Sequence, residues 1–147
     1  LPILGSLNRK IVLTRFSVSL SNLLASGVPV TQALTIVGDV VGSAPYREII
    51  MQTVAEVEGG NSIASVFAHS KLIPAIVPQM LSIGEETGRI DEILRKLGDF
   101  YSQEVDTGVA TLTSLIEPVI IVLLGLGAVV IVAGILMPIY SITNTIA

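Results

Sequence analysis

Up to about residue 117, apolar residues recur at helical spacing. The pattern is clearest in residues 90–116, where apolar side chains return every three or four positions, as on one face of an α-helix. Its members are Ile90, Ile93, Leu94, Leu97, Phe100, Tyr101, Val105, Val109, Leu112, Leu115 and Ile116. The Asn-Gly and Asp-Gly pairs that indicate hairpin turns are absent. The sequence predicts an all-α fold, a compact bundle of about six helices, the last one leading into a single transmembrane helix.

Glycine, proline and N-cap residues divide the chain before Ile90 into five shorter helices. The predicted segments are residues 9–26, 29–41, 43–59, 62–67 and 74–87. The candidate N-caps are Asn8, Ser43, and Asn61 or Ser62. Pro78 falls in the first turn of the fifth segment, and the pattern leaves open whether it kinks or delays that helix.

Residues 119–137, VIIVLLGLGAVVIVAGILM, contain only apolar residues, and residues 118–147 carry no charge. A run of about twenty apolar residues is long enough to cross a bilayer core as a helix. A buried helix of a soluble protein is the alternative, but this chain is small for a core that would surround such a helix completely. We therefore predict a helical domain at 1–117, a transmembrane helix at 118–140 and a short non-cytoplasmic tail at 141–147.

Composition narrows the possible chemistry. The 147 residues include no cysteine and one histidine, His69, which excludes disulfides, thiolate metal sites and multi-histidine metal sites. A net charge of −4 argues against a nucleic-acid partner. The sequence has no P-loop and no G-x-S-x-G elbow, and His69 is predicted to be an exposed loop residue. We expect no catalytic residue, no metal and no cofactor.

The acidic pair Glu85 and Glu86 lies between Gly84 and Gly88 at a predicted helix end. Adjacent helical residues point about 100° apart, so the pair is not an acid–base dyad. It is either a solvated helix end or an acidic patch for a basic partner. A carboxylate opposes the helix dipole at a C-terminus, which is an argument for a role beyond solubility. Together with Arg89, the pair forms the candidate partner contact.

Glu117 and Pro118 form the candidate membrane junction. Glu117 either reaches the interface or pairs with an arginine or a backbone donor inside an oligomer, because acids within a membrane are costly without a partner. Pro118 is the only interruption between the amphipathic helix and the apolar run, so motion of the bundle would pass to the span. Gly127 and Gly134 lie on one helix face and are candidates for helix packing in the membrane.

All eight lysine and arginine residues precede the apolar run, which indicates a cytosolic bundle. Arg9, Lys10 and Arg15 cluster at the start, as expected if a membrane helix ended just before Leu1. Because Leu1 is not an initiator methionine, we expect the chain to be a fragment or a processed product.

Five segments resemble motifs of the type II secretion F-type proteins, which include the inner-membrane platform proteins of type IV pili. They are LASGVP at 24–29 with QAL at 32–34, GGNSI at 59–63, MLSIGEETGRI at 80–90, SLIEPV at 114–119 and MPIY at 137–140. Their order and spacing cover nearly the whole chain. Two positions depart from the family pattern: Ile73 replaces a usual aromatic, and Pro78 a usual helix former.

This resemblance implies the second cytoplasmic domain and last membrane helix of a multi-pass protein of the bacterial inner membrane. Such proteins are non-enzymatic. They contact a hexameric cytoplasmic ATPase and other inner-membrane assembly proteins, form homo-oligomers in the lipid bilayer, and couple the ATPase to assembly of pilins or pseudopilins. No nucleic acid is expected as a partner.

Two other functions compete with this one. A membrane-anchored helical sensor or receptor that dimerises through its bundle would want a ligand cavity or an aromatic cage, and aromatic residues are only 4% of the chain. An intramembrane enzyme or transporter subunit would need polar residues in mid-span, which residues 119–137 lack.

Overall fold

In a computed structural model, residues 2–146 are described, and these form six α-helices joined by short turns. The helices are α1 Pro2–Ala25, α2 Val30–Val40, α3 Ala44–Glu58, α4 Ile63–Ala68, α5 Ile76–Thr87 and α6 Ile90–Ile146. The predicted all-α class is confirmed. Leu1, where the predicted domain begins, and Ala147, the end of the predicted tail, lie outside the described residues.

The described chain divides into two units, a compact unit of residues 2–106 and a second unit of residues 107–146. Helix α6 contributes to both. The compact unit ends at Asp106, earlier than the position 117 at which the sequence placed the end of the helical domain. The assignment of 1–117, 118–140 and 141–147 to cytoplasm, membrane and tail stays a prediction.

The predicted helix starts were partly right. The Ser62 hydroxyl caps α4 by accepting a hydrogen bond of 3.1 Å from the backbone N–H of Ser65, so Ser62 and not Asn61 is the cap of the two candidates. Ser43 occupies the N-cap position of α3, but its side chain makes no capping bond. Asn8 was wrong as a cap, because α1 already includes Pro2 and runs through Asn8. Proline is favourable in a first helical turn, where its missing N–H is not needed.

Pro78 is likewise accommodated in the first turn of its helix. Helix α5 begins at Ile76, two residues after Pro74, and Pro78 is its third residue and is buried. The first four N–H groups of a helix have no partner within that helix, so Pro78 removes no hydrogen bond there. Two later prolines, Pro118 and Pro138, lie inside α6, whose helical backbone continues on both sides of each.

The core of the compact unit lies where α1 to α5 and the first part of α6 meet. Its fully buried side chains include Leu20, Leu34, Val37, Phe67, Leu81, Leu94 and Leu97. The rings of Phe16 and Phe67 pack with their centroids 5.3 Å apart. Burial of these side chains is the main stabilising contribution of the unit.

Helix α1 and the start of α6 run antiparallel. Lys10 Nζ lies 3.2 Å from Glu104 Oε2, and eleven positions along α1 the Ser21 hydroxyl donates to the Asp91 carbonyl at 2.8 Å. Between these contacts the helices come close at Gly98, where an added Cβ would lie 2.9 Å from Cγ2 of Val18. Glycine at 98 therefore permits this close approach.

Burial along α6 ends early. Its buried residues are Leu94, Leu97, Gly98 and Tyr101. Phe100, which the periodicity assigned to the apolar face, is 46% exposed, and Val109 is 49% exposed. The apolar periodicity of residues 90–116 therefore predicted the helix correctly, but only its first three turns are packed in the compact unit.

Candidate functional site

The segment from Gly84 to Gly88 forms the turn between α5 and α6. Gly88 ends α5 in the left-handed conformation with φ of 71°, which residues with a Cβ adopt only at a cost. The carbonyl of Gly84 accepts hydrogen bonds from the N–H groups of Gly88 and Arg89, the latter at 2.9 Å. This pattern satisfies the carbonyls at the helix end. Gly88 is therefore explained by the turn, and Gly84 by close packing, because an added Cβ at 84 would lie 3.1 Å from Cα of Ile90.

Glu85 is engaged inside the compact unit. Its Oε1 accepts a hydrogen bond of 3.0 Å from the backbone N–H of Ala64, the second residue of α4. Ser62 satisfies the N–H of Ser65 in the same turn, so a local hydroxyl and a distant carboxylate share the capping of α4. A carboxylate there also interacts favourably with the positive end of the helix dipole. The half-buried Glu85 thus has a role in holding α4 against α5.

Glu86 and Arg89 are exposed. The Ser82 hydroxyl donates to Glu86 Oε1 at 3.3 Å, and Arg89 Nη1 lies 3.9 Å from Glu92 Oε2. Such exposed contacts contribute little to stability. Of the three predicted contact residues, Glu86 and Arg89 present free charge to solvent, whereas Glu85 points its Oε1 inward. The partner role of all three stays a prediction.

An open groove of about 770 Å³ lies between α4 and α5 beside this turn. Small side chains such as Ala64, Ala68 and Ser82 line it. On α5, Ile76 and Ile83 are 43% and 51% exposed, and Ile83 also borders the groove. The groove was not predicted from the sequence, although the spacing of seven between the two isoleucines was a usable signal for an exposed helical face.

Two buried tyrosines lie near the contact of Lys10 with Glu104. The Tyr46 hydroxyl donates to the Leu72 carbonyl at 2.7 Å. Burial raises the pKa of Tyr46, an effect opposed by the nearby Arg9. Burial also raises the pKa of Tyr101, and Glu104 and Tyr46 add to that rise. Both phenols are therefore neutral at physiological pH and serve packing and hydrogen bonding.

His69 follows α4 and is exposed, as predicted. Its Nδ1 lies 2.6 Å from the Ser65 carbonyl, a distance at which Nδ1–H donates to that oxygen. Across residues 2–146, no three His, Asp or Glu side chains are grouped so as to hold a metal ion.

The predicted membrane residues lie in the second unit. Glu117 and Pro118 are exposed within α6. A Cβ added at Gly127 or Gly134 would meet nothing within 4 Å. Helix α6 is the one described helix that is long and apolar enough to cross a membrane. A packing role for the two glycines stays a prediction.

Comparisons with known proteins agree with the motifs. The sequence profile of a family described as type II secretion system (T2SS), protein F, matches residues 16–138. The type IV pilus assembly protein PilC of Thermus thermophilus is 40% identical over 148 residues, and that of Myxococcus xanthus 35% over 146. The type II secretion system protein F of Aeromonas hydrophila is 30% identical over 146 residues. These alignments cover 99% or more of this chain but 35% to 38% of each relative. The chain thus spans little more than a third of the length of these relatives.

Proposed function

Because the chain belongs to the family of type II secretion system protein F, we propose that it works as a non-enzymatic platform component of a type IV pilus or type II secretion machine. In this role it couples a cytoplasmic ATPase to the assembly of pilins or pseudopilins. The observation that carries the proposal is the extent of the family match, residues 16–138, which covers most of the compact helical unit and the apolar part of α6.

The proposed location is the bacterial inner membrane, with residues 1–117 in the cytoplasm, 118–140 as the span and 141–147 on the far side. Two features support it. The most apolar stretch of α6 has a mean hydropathy of 3.1 and no buried residue. All eight lysine and arginine residues precede that stretch, which is the distribution expected of a cytoplasmic segment.

The proposed mechanism needs no nucleotide site in the chain, because the ATPase supplies the energy. Motion received by the compact unit passes along α6, whose backbone is helical from Ile90 to Ile146. Glu86 and Arg89 are the proposed charged contacts with a partner, since both are exposed and make only weak contacts within the chain.

A chimera tests the platform role. The segment of the Thermus thermophilus relative that aligns with this chain is replaced by the chain, in a strain lacking the native protein. We expect pili to form. If the chimera reaches the membrane at a normal level but forms no pili, the proposed function is wrong.

Charge reversal in the same chimera tests the partner contact. Glu86→Lys with Arg89→Glu is expected to abolish co-purification of the ATPase and to stop piliation. Asp99→Lys, at another exposed acid of the compact unit, serves as the control and should retain both. If the doubly reversed protein retains both ATPase co-purification and piliation, Glu86 and Arg89 are not part of the partner contact.

Insertion of three glycines after Pro118 tests the transmission of motion. Glycine breaks helical continuity, so piliation should be lost while ATPase co-purification remains. The same insertion after Gly60, in the turn before α4, is the control. Normal piliation with glycines after Pro118 would exclude mechanical transmission along α6.

A further inference from the structure

Glu117 is isolated among apolar side chains. Residues 107–147 contain no other charged side chain. Its neighbours Leu115, Ile116, Val119 and Ile120 are each at least 50% exposed and form an apolar surface around it. A carboxylate in such surroundings is costly unless it is paired.

The described chain offers Glu117 no counter-ion. Its three ion pairs, Lys10 with Glu104, Arg47 with Asp39, and Arg89 with Glu92, all lie in the compact unit. Among residues 2–146, no lysine, arginine or histidine nitrogen comes within 4.0 Å of the Glu117 carboxylate.

Pro118 creates a second acceptor beside this carboxylate. A proline inside a helix has no N–H to donate to the carbonyl four residues earlier, which here is the carbonyl of Ser114. The Ser114 hydroxyl does not replace it, because that group donates to the Thr111 carbonyl at 2.8 Å. Residues 114 and 117 are three positions apart and share a helix face. One face of α6 therefore carries a carboxylate and, about one turn away, a carbonyl that receives no hydrogen bond from Pro118.

The other polar side chains nearby are already satisfied. The hydroxyls of Thr111 and Thr113 donate to the carbonyls of Thr107 and Val109, each at 2.9 Å. Among residues 2–146, no side-chain donor therefore reaches the Glu117 carboxylate or the Ser114 carbonyl, and both are acceptors. Such a site requires a donor, and its negative charge selects a cationic one.

We propose that Glu117 and the Ser114 carbonyl bind the ammonium or guanidinium group of a basic residue on a partner membrane helix. The apolar surroundings of Glu117 suit a membrane segment of the partner. A symmetric pairing of this helix with a second copy does not supply the cation, because residues 107–147 contain no lysine or arginine and such a pairing brings Glu117 against Glu117. The proposal does not depend on which machine the protein serves.

The test uses the full chain in phosphatidylcholine vesicles, labelled with a donor fluorophore at Thr145→Cys, since the chain has no cysteine of its own. The partners are acceptor-labelled leucine-alanine transmembrane peptides with one lysine at successive depths, and a matched peptide with leucine instead. Energy transfer should report about three- to tenfold tighter association of one lysine peptide, the range expected for polar contacts between membrane helices. Glu117→Gln should abolish this preference. Glu104→Gln, in the compact unit, should preserve it.

Two further experiments test the role of the Ser114 carbonyl and distinguish a basic partner residue from a lipid headgroup. Pro118→Ala restores a donor for the Ser114 carbonyl and should reduce the preference for lysine while leaving Glu117 in place. Replacing part of the lipid with phosphatidylethanolamine offers a headgroup ammonium, and the preference should persist. Loss of the lysine preference in the presence of phosphatidylethanolamine would show that the lipid headgroup binds the site, and it would overturn the proposal. Equal association of the lysine and leucine peptides, or a preference unchanged in Glu117→Gln, would also overturn it.

Discussion

Leucines of the compact unit and leucines of the apolar part of α6 have opposite surroundings. Leu34 and Leu81 are fully buried, whereas Leu124 and Leu126 are 70% and 59% exposed. In the compact unit, the protein itself removes these side chains from water, and this burial stabilises the fold. In α6 the same residue type has no protein neighbour to bury it, so its favourable environment is lipid or another helix.

The glycines differ in the same way. An added Cβ at Gly84 would lie 3.1 Å from Cα of Ile90, and one at Gly98 would crowd Val18. At Gly125, Gly127 and Gly134 nothing lies within 4 Å. Gly84 and Gly98 thus serve close contacts that already exist in the compact unit, whereas Gly88 serves a left-handed turn in open space. In the apolar helix, the glycines leave space that only another molecule would fill.

The largest expected effect comes from truncating leucines in both regions. Leu34→Ala should lower the free energy of unfolding of the compact unit by about 2–5 kcal/mol, because it leaves a cavity in the core. Leu124→Ala, the matched control in the apolar helix, should leave that free energy unchanged. Hydrogen exchange of core amides in detergent measures both. A similar loss in the two variants would contradict the division between the regions.

A glycine substitution gives the next largest effect. Gly88→Ala should destabilise the compact unit by about 1–2 kcal/mol, because alanine must adopt a left-handed conformation there. The space is open, since an added Cβ meets nothing within 4 Å, so the backbone alone causes the loss. Gly125→Ala, in regular helix with equally open space, should cause none. The same hydrogen-exchange measurement compares the two variants. Equal free energies of unfolding would show that the left-handed φ at position 88 does not destabilise alanine.

Alanine substitutions at Glu85 and Glu86 compare an inward-facing acid with an exposed one in the same helical turn. Glu85→Ala should cost about 0.5–2 kcal/mol, the typical range for loss of a helix cap, because the N–H of Ala64 loses its acceptor. Glu86→Ala should be nearly neutral, because within residues 2–146 the Glu86 carboxylate accepts one hydrogen bond, an exposed one from Ser82. Exchange of the Ala64 amide reports the cap directly. Equal protection of this amide in the two variants would show that Glu85 does not cap α4.

A still smaller effect is expected on how the free energy of unfolding depends on pH above 10. Burial raises the pKa of Tyr46 and Tyr101 above the ordinary tyrosine value of about 10, so the folded state holds these protons when the unfolded state releases them. Their contribution to stability is present below about pH 10 and is lost as pH rises through their folded pKa values. A Tyr46→Phe, Tyr101→Phe protein should therefore lose stability less steeply above pH 10. Unfolding followed by far-ultraviolet circular dichroism between pH 8 and 12 measures both slopes, and identical slopes would contradict the assignment.

The sequence predicted most helices because their signals are local. The apolar spacing from Ile90, the cap at Ser62 and the stop at Gly88 each depend on residues within one or two turns. Asn8 failed as a cap because N-cap chemistry permits a helix start but does not require one, and Pro2 begins α1 earlier.

The candidate site was only partly predictable. Its segment, its two glycines and its exposed charges at Glu86 and Arg89 could be read from the chain. The bond from Ala64 to Glu85 could not, because it joins residues 21 positions apart through the packing of α4 on α5. The groove between these helices was missed for the same reason.

The helical class, the long apolar helix and the family resemblance follow from local patterns, because periodicity, hydropathy and motif order are properties of neighbouring residues along the chain. Which acid of the pair faces inward, which glycines meet a neighbour and where burial along α6 ends became known from the folded chain. These features depend on contacts between segments that are distant in the chain, and the type of a residue does not specify which residues will pack against it.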